Sequence, residues 1–197
     1  MIKLKIYVSL LLMLSFLFAC NNSTEPKKDS TSFTVSGKIE NINGTKLTSD
    51  MKVYLLWTVT SGSPDYTYVW GKGTIDTNKM TFKIVLPNTP PEDALNLKTF
   101  GVGQVLLLKD GNLQEGKLSV QFDRTKFIGA TGWYAVIFKN NNDQDTKIDW
   151  LKSFKKGYNI GVGVKGNGTL DSFKPIENEK VKLIIDNLLN IEFVNWT

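Results

Sequence analysis

From Phe33 onward, apolar and polar residues alternate with a period of two. Phe33, Val35 and Ile39 share one face with Gly37 between them, and Thr34, Ser36 and Lys38 take the other, which is the signature of a half-buried strand. Val53, Leu55, Trp57 and Val59 repeat the pattern between Lys52 and Thr60. Thr67 to Trp70 and Gly73 to Ile75 read as one strand region broken near Gly71, and Phe82, Ile84 and Leu86 as another before Pro87. Turn-forming residues separate these runs at Asn43-Gly44, Ser61 to Pro64, Asp76 to Lys79 and Pro87 to Pro91. Further strands are expected at Gln104 to Lys109, Lys117 to Phe122, Trp133 to Lys139 and Val181 to Asp186. The last also has helical spacing, but its β-branched residues favour a strand. One short helix is expected where Trp150, Leu151 and Phe154 make an apolar stripe, with Asp149 capping its start and Gly157 stopping it. Short strands punctuated by turns predict an all-β fold, a sandwich or a barrel, of which the β-sandwich is the expectation.

The chain opens differently. Lys3 and Lys5 precede a mostly apolar run from Ile6 to Phe18, too short to cross about 30 Å of hydrocarbon as a helix, and the run ends at Ala19 and Cys20. This is the form of a signal peptide over residues 1–19. Asn21 to Ser32 reads NNSTEPKKDSTS, without a large apolar side chain, and is expected to be a flexible tether, leaving 33–197 as a single domain. Fully extended, those residues span about 40 Å.

Leu17-Phe18-Ala19-Cys20 resembles the lipobox of bacterial lipoproteins. That resemblance implies a diacylglycerol on the Cys20 thiol and an acyl chain on its amine, a combination that gives stable anchoring where one chain does not. It places the protein in the bacterial cell envelope, with Asn21 after the cysteine favouring the outer membrane of a Gram-negative cell. SGKIENINGT, KVYLLW and TFKIVLP look like the opening of prealbumin-like or immunoglobulin-like modules, and DWLKSFKKGYNIGVGV followed by FKPI resembles β-rich envelope lipoproteins. Neither likeness implies a specific activity.

Composition narrows the chemistry. The chain has no histidine, which excludes a Ser/His/Asp triad, a Cys/His pair and a His-ligated metal site. Its one cysteine excludes an intrachain disulfide and a thiolate cluster. The formal charge of +5 falls to +3 once Lys3 and Lys5 leave with the leader, because 22 basic residues then face 19 acidic ones. Arg124 is the only arginine, so the bidentate forks that read phosphates and guanines are nearly missing and no nucleic-acid partner is expected.

Several residue groups remain as candidates. Gly161, Gly163 and Gly166 spell GxGxxG, but a turn at Asn167-Gly168 follows where a dinucleotide site needs a helix, so the segment reads as a glycine-rich loop or bulge. Asp110, Asn112 and Glu115, with Gln114, approximate a calcium loop with one residue too many before Gly116. Asn141, Asp143 and Asp145 alternate correctly for calcium but have Thr146 where glycine belongs. A carboxylate pair for glycoside hydrolysis could be drawn from Asp65, Glu115, Asp123, Asp171 and Glu177. Among the aromatics near strands (Trp57, Tyr66, Tyr68, Trp70, Trp133, Tyr134), Tyr66, Tyr68 and Trp70 are the candidates for a ring face that stacks on a glycan or a protein partner. The expected protein is a membrane-anchored binding or interaction module without catalysis. The alternatives are a carboxylate-pair hydrolase acting on carbohydrate and a calcium-stabilised structural subunit.

Overall fold

In a computed structural model, which describes residues 32–59, 66–86, 89–117, 124–140, 148–166, 169–176 and 180–186, the regular structure of those residues is mostly strand, with three short 3₁₀ segments. Its strands are β1 Phe33–Asn41, β2 Lys52–Val59, β3 Tyr66–Asp76, β4 Thr81–Leu86, β5 Phe100–Leu108, β6 Phe127–Ala130, β7 Tyr134–Lys139, β8 Gly157–Gly166, β9 Thr169–Ile176 and β10 Val181–Ile185. They run in the order β2-β3-β4-β1-β10-β6-β5, and β5 then pairs with β2, so seven strands close a barrel. The expected sandwich is thereby corrected. Closure rests on a pairing of residues 48 to 56 positions apart in the chain, from Lys52 opposite Leu108 to Leu56 opposite Gln104. Among the described strands the one parallel pairing brings β10 beside β1, with Gly37 opposite Val181.

β5 leads a second life. Its C-terminal half belongs to the barrel, whereas Phe100 to Gly103 pair with β7, which continues through β8 to β9 as a side sheet. β6 and β7 lie along the same edge of β5, separated by a turn at Thr131–Trp133. There the buried Thr131 hydroxyl accepts the Val105 N–H at 3.1 Å and donates to the Tyr134 carbonyl at 3.0 Å. Gln104 Nε2 donates to the Gly132 carbonyl at 2.6 Å. These bonds hold the chain where it leaves the barrel for the side sheet, so Trp133 sits in the turn, half exposed, and not in the expected strand.

Three apolar clusters follow from this geometry. The largest fills the barrel and continues under the side sheet, joining Val35, Val53, Leu55, Ile84 and Leu107 to Val136 and Phe138. A second covers the other side of the side sheet, where Leu151 and Phe154 pack on Phe100, Ile137 and Phe173. The third lies on the outside of the barrel, where Tyr54, Leu56, Val69 and Leu106 are covered by Leu113 and Phe127. The Tyr54 hydroxyl donates to the Gly111 carbonyl and ties residues 109–117 over this surface. β2 and β5 are thus buried on both faces, which explains their nearly continuous apolar runs. All described strands and clusters lie within the compact unit Thr31–Thr197.

Other local expectations are also revised. The expected helix is a single 3₁₀ turn, Asp149–Ser153, and Asp149 makes no capping bond; Ile148 holds the cap position without a side-chain bond. The buried Lys139 donates from Nζ to the Phe154 carbonyl at 3.2 Å and satisfies the end of that turn. Gly161, Gly163 and Gly166 lie within strand β8, whose register against β9 shifts between Val164 and Lys165, so of the loop and the bulge that were expected the segment is a bulged strand. A Cβ on Gly161 would come within 2.8 Å of Ile137 Cδ1 and 2.9 Å of Phe154 Cζ, so the missing side chain lets the 3₁₀ segment settle on the sheet. β3 is continuous where a break was expected: a bulge places Leu55 opposite Gly71 and Leu56 opposite Val69, leaving Trp70 as the extra residue. β6, β8 and β9 were not anticipated, and Lys117 is outside any strand, with residues 118–122 of the expected strand outside the described residues.

Candidate functional site

The bulge in β3 organises the aromatic residues. Alternation turns Tyr68 and Trp70 inward, and Tyr68 lies opposite Trp57 of β2. Trp57, Tyr68 and Trp70 form a triangle of rings with centroids 5.6, 5.9 and 6.4 Å apart. From the side sheet, Tyr158 stacks on Trp70 at 6.2 Å, on Phe33 at 5.2 Å and against its cross-strand neighbour Phe138 at 4.8 Å. Five strands therefore contribute six rings to one end of the interior, the end at which β1 begins. Phe33 and Tyr158 are half-buried, so the stack reaches the surface there.

The polar atoms of these rings differ in their fates. Trp57 Nε1 donates to the Ala94 carbonyl at 2.7 Å, which fastens the 3₁₀ turn Glu92–Ala94 across the barrel end. Asn96, also buried, holds the same segment by donating from Nδ2 to the Thr58 carbonyl at 3.2 Å. Trp70 is only 8% exposed, yet its Nε1 has no hydrogen-bond partner among the described residues. Burial pushes the Tyr68 phenol up to about 12, aided by the nearby Asp93 charge. Burial raises Tyr158 further, with Tyr68 as a second cause. Both phenols stay protonated at neutral pH, so each hydroxyl can donate as well as accept a hydrogen bond. The arrangement offers π faces, two neutral hydroxyls and one idle N–H. It suits recognition of a ring-shaped ligand carrying a hydrogen-bond acceptor better than proton transfer.

The structure places the sequence candidates as follows. Tyr68 and Trp70 are interior rather than on an open sheet face, because β3 is a barrel strand and alternation points them at the core. Tyr66 opens β3, and its side chain lies outside the described residues. Trp57 likewise joins the core, whereas Tyr134 is half-buried at its margin. Asp110, Asn112 and Glu115 are all exposed on residues 109–117 and do not converge: Asp110 lies beside Asp50, while Glu115 Oε1 accepts the Lys72 N–H at 2.7 Å. Among the described residues no group of three acidic or cysteine side chains is placed to hold a metal ion. Cys20, Asp65, Asp123, Asn141, Asp143, Asp145 and Glu177, and the Asp171 side chain, lie outside the described residues.

Sequence reasoning missed Phe33, Phe138 and Tyr158 as members of the ring cluster. Phe33 and Phe138 carried only a strand-alternation signal, and Tyr158 had none, since it stands between Gly157, read as the stop of a helix, and the glycine-rich run from Gly161 to Gly166. Comparison of the chain with family models, with curated proteins and with solved structures finds no match.

Proposed function

We propose that this protein is a lipid-anchored binding module of the bacterial envelope, and that the ring-lined end of its barrel is the ligand-binding end. Cys20 is the anchor, followed by the tether to Thr31. The observation that carries the ligand-site reading is the Trp70 indole N–H, buried behind a stack of rings that opens to solvent at Phe33 and Tyr158, without an acceptor among the described residues. An unpaired buried donor costs about 1–3 kcal/mol, a cost that a ligand acceptor removes. Barrel mouths with apolar walls and few polar groups are common places for small ligands. The ligand is a ring-bearing molecule with an exposed acceptor, and an envelope glycan fits that description.

The test is thermal unfolding of the Thr31–Thr197 protein with a panel of envelope glycans, compared with Trp70→Phe. A ligand at 100 times its dissociation constant adds about 2.7 kcal/mol, or roughly 5–11 °C for a domain of this size. The shift is expected in the parent protein and reduced in Trp70→Phe. Absence of a shift across the panel, or an undiminished shift in Trp70→Phe, overturns this end as the ligand site. Anchoring is tested separately in the full chain: Cys20→Ser is expected to move the protein from the membrane to the soluble fraction, and retention in the membrane overturns the lipoprotein reading.

A further inference from the structure

The outward face of β3, β4, β1 and β10 carries an uneven charge. Alternation points Thr34, Ser36, Lys38 and Glu40 of β1 to the outside, beside Lys83 and Val85 of β4, Lys72 and Thr74 of β3, and Lys182 of β10. Lys180, just before β10, is also exposed. Register brings the lysines together: Lys38 lies opposite Lys182, and Lys83 lies opposite Ser36, one diagonal step from Lys38. Like charges placed directly opposite are unfavourable. Glu40 relieves one of them, 2.8 Å from Lys182 Nζ, and that ion pair raises the lysine's pKa. Lys38, Lys72, Lys83 and Lys180 make no ion pair among the described residues. Among the described residues three acidic groups border the face: Asp76 is matched by Lys79 at 3.7 Å, Glu115 is held on the Lys72 N–H, and Asp186 follows the last residue of β10. Among the described residues the face presents no arginine fork, and its outward side chains are point charges, small hydroxyls and two exposed aliphatic residues, Val85 and, just past β1, Ile42.

We infer that this lysine face docks on the anionic headgroup surface of the bilayer that holds the anchor, so that the domain lies against its own membrane. The inference rests on the lipid-anchor reading above for the choice of partner. A featureless field of ammonium groups matches a field of phosphates better than a shaped ligand, and the exposed valine and isoleucine suit the headgroup boundary. β1, the central strand of the face, is the first strand after the tether, so the anchor keeps this face within about 40 Å of the bilayer. Polybasic segments gain about fivefold in membrane partitioning for each lysine near an anionic surface.

The experiment is co-sedimentation of the Thr31–Thr197 protein, which lacks Cys20, with vesicles of phosphatidylcholine alone or with about one third phosphatidylglycerol. Lipidation plays no part in it, so its outcome is independent of the Cys20→Ser fractionation. Binding is expected to the anionic vesicles alone, to fade as salt shortens the Debye length, and to fall about 25-fold in the exposed double variant Lys38→Gln/Lys83→Gln. A control pair elsewhere, Lys98→Gln/Lys156→Gln, is expected to bind nearly as the parent does. Equal binding to both vesicle types, an unaffected Lys38→Gln/Lys83→Gln protein, or an equal loss in the control pair overturns the inference. So does retention on dextran sulfate without vesicle binding, which assigns the face to an anionic polymer.

Discussion

The indole of Trp57 lies against the bare Cα of Gly101. A Cβ built on Gly101 would stand 2.8 Å from Trp57 Cε2 and 2.9 Å from Cζ2, closer than real side chains approach. The contact joins barrel to side sheet, because Trp57 belongs to β2 and Gly101 to the half of β5 that pairs with β7. Gly101→Ala is therefore expected to destabilise the domain by about 1–3 kcal/mol through overpacking. A lower midpoint in urea with an unchanged slope checks it; an unchanged midpoint shows that the indole can yield.

The two inner tryptophans are predicted to respond unequally. Trp57→Phe removes ring volume and also leaves the buried Ala94 carbonyl without its donor, whereas Trp70→Phe removes ring volume and an N–H that has no partner among the described residues. The first is expected to cost about 1–3 kcal/mol more than the second. Paired urea titrations measure this difference, and equal losses would show that Trp70 Nε1 is satisfied.

Thr131→Val keeps shape and removes a hydroxyl that serves the Val105 N–H and the Tyr134 carbonyl at once. With both groups buried, a loss of about 1–3 kcal/mol is expected. Because the site lies where the chain passes from β6 to β7, amide exchange should quicken at Val105 and Tyr134 before the far side of the barrel. Uniform exchange in the variant would contradict this.

Alkaline pH should unfold the protein through its buried phenols. The unfolded chain releases the Tyr68 proton near 10, and the folded protein holds it to about 12, so the unfolded state binds fewer protons over that interval. This contribution is fully present below pH 10 and is lost as pH rises towards 12, and Tyr158 acts in the same direction. Urea midpoints across that range should fall, and fall less steeply in Tyr68→Phe. The same slope in both proteins would remove Tyr68 as the cause.

Calcium and chelator are expected to leave the melting temperature unchanged, since Glu115 is engaged with β3 and Asp110 lies beside Asp50. Glu115→Ala, by freeing the Lys72 N–H, should instead loosen residues 111–117, seen as faster proteolysis there. A calcium-dependent rise in melting temperature would revive the metal site at Asp110, Asn112 and Glu115.

Strands with one wet face were legible as a period of two: β1, β4 and β10 lie where Phe33, Phe82 and Val181 begin their alternations. Legibility failed where burial or glycine hides that period. β8 contains Gly161 and Gly163, whose lack of side chains serves packing on Phe154 and Ile137, a reason that exists only once the 3₁₀ turn is in place. The tyrosines and the tryptophan of β3 were visible as aromatic strand residues, but their direction was not, because an open sheet and a barrel strand alternate identically.

The residues alone determined that the protein is built of strands, that it lacks imidazole and disulfide chemistry, and that large rings cluster in β2 and β3. Those follow from side-chain chemistry and local periodicity, which each segment carries by itself. The tertiary structure decided that the sheet closes through Leu55 opposite Val105, that Tyr158 completes the ring stack, and that lysines from four strands share one face. Each depends on register between segments far apart in the chain, set by the joint burial of both partners, which neither segment specifies alone.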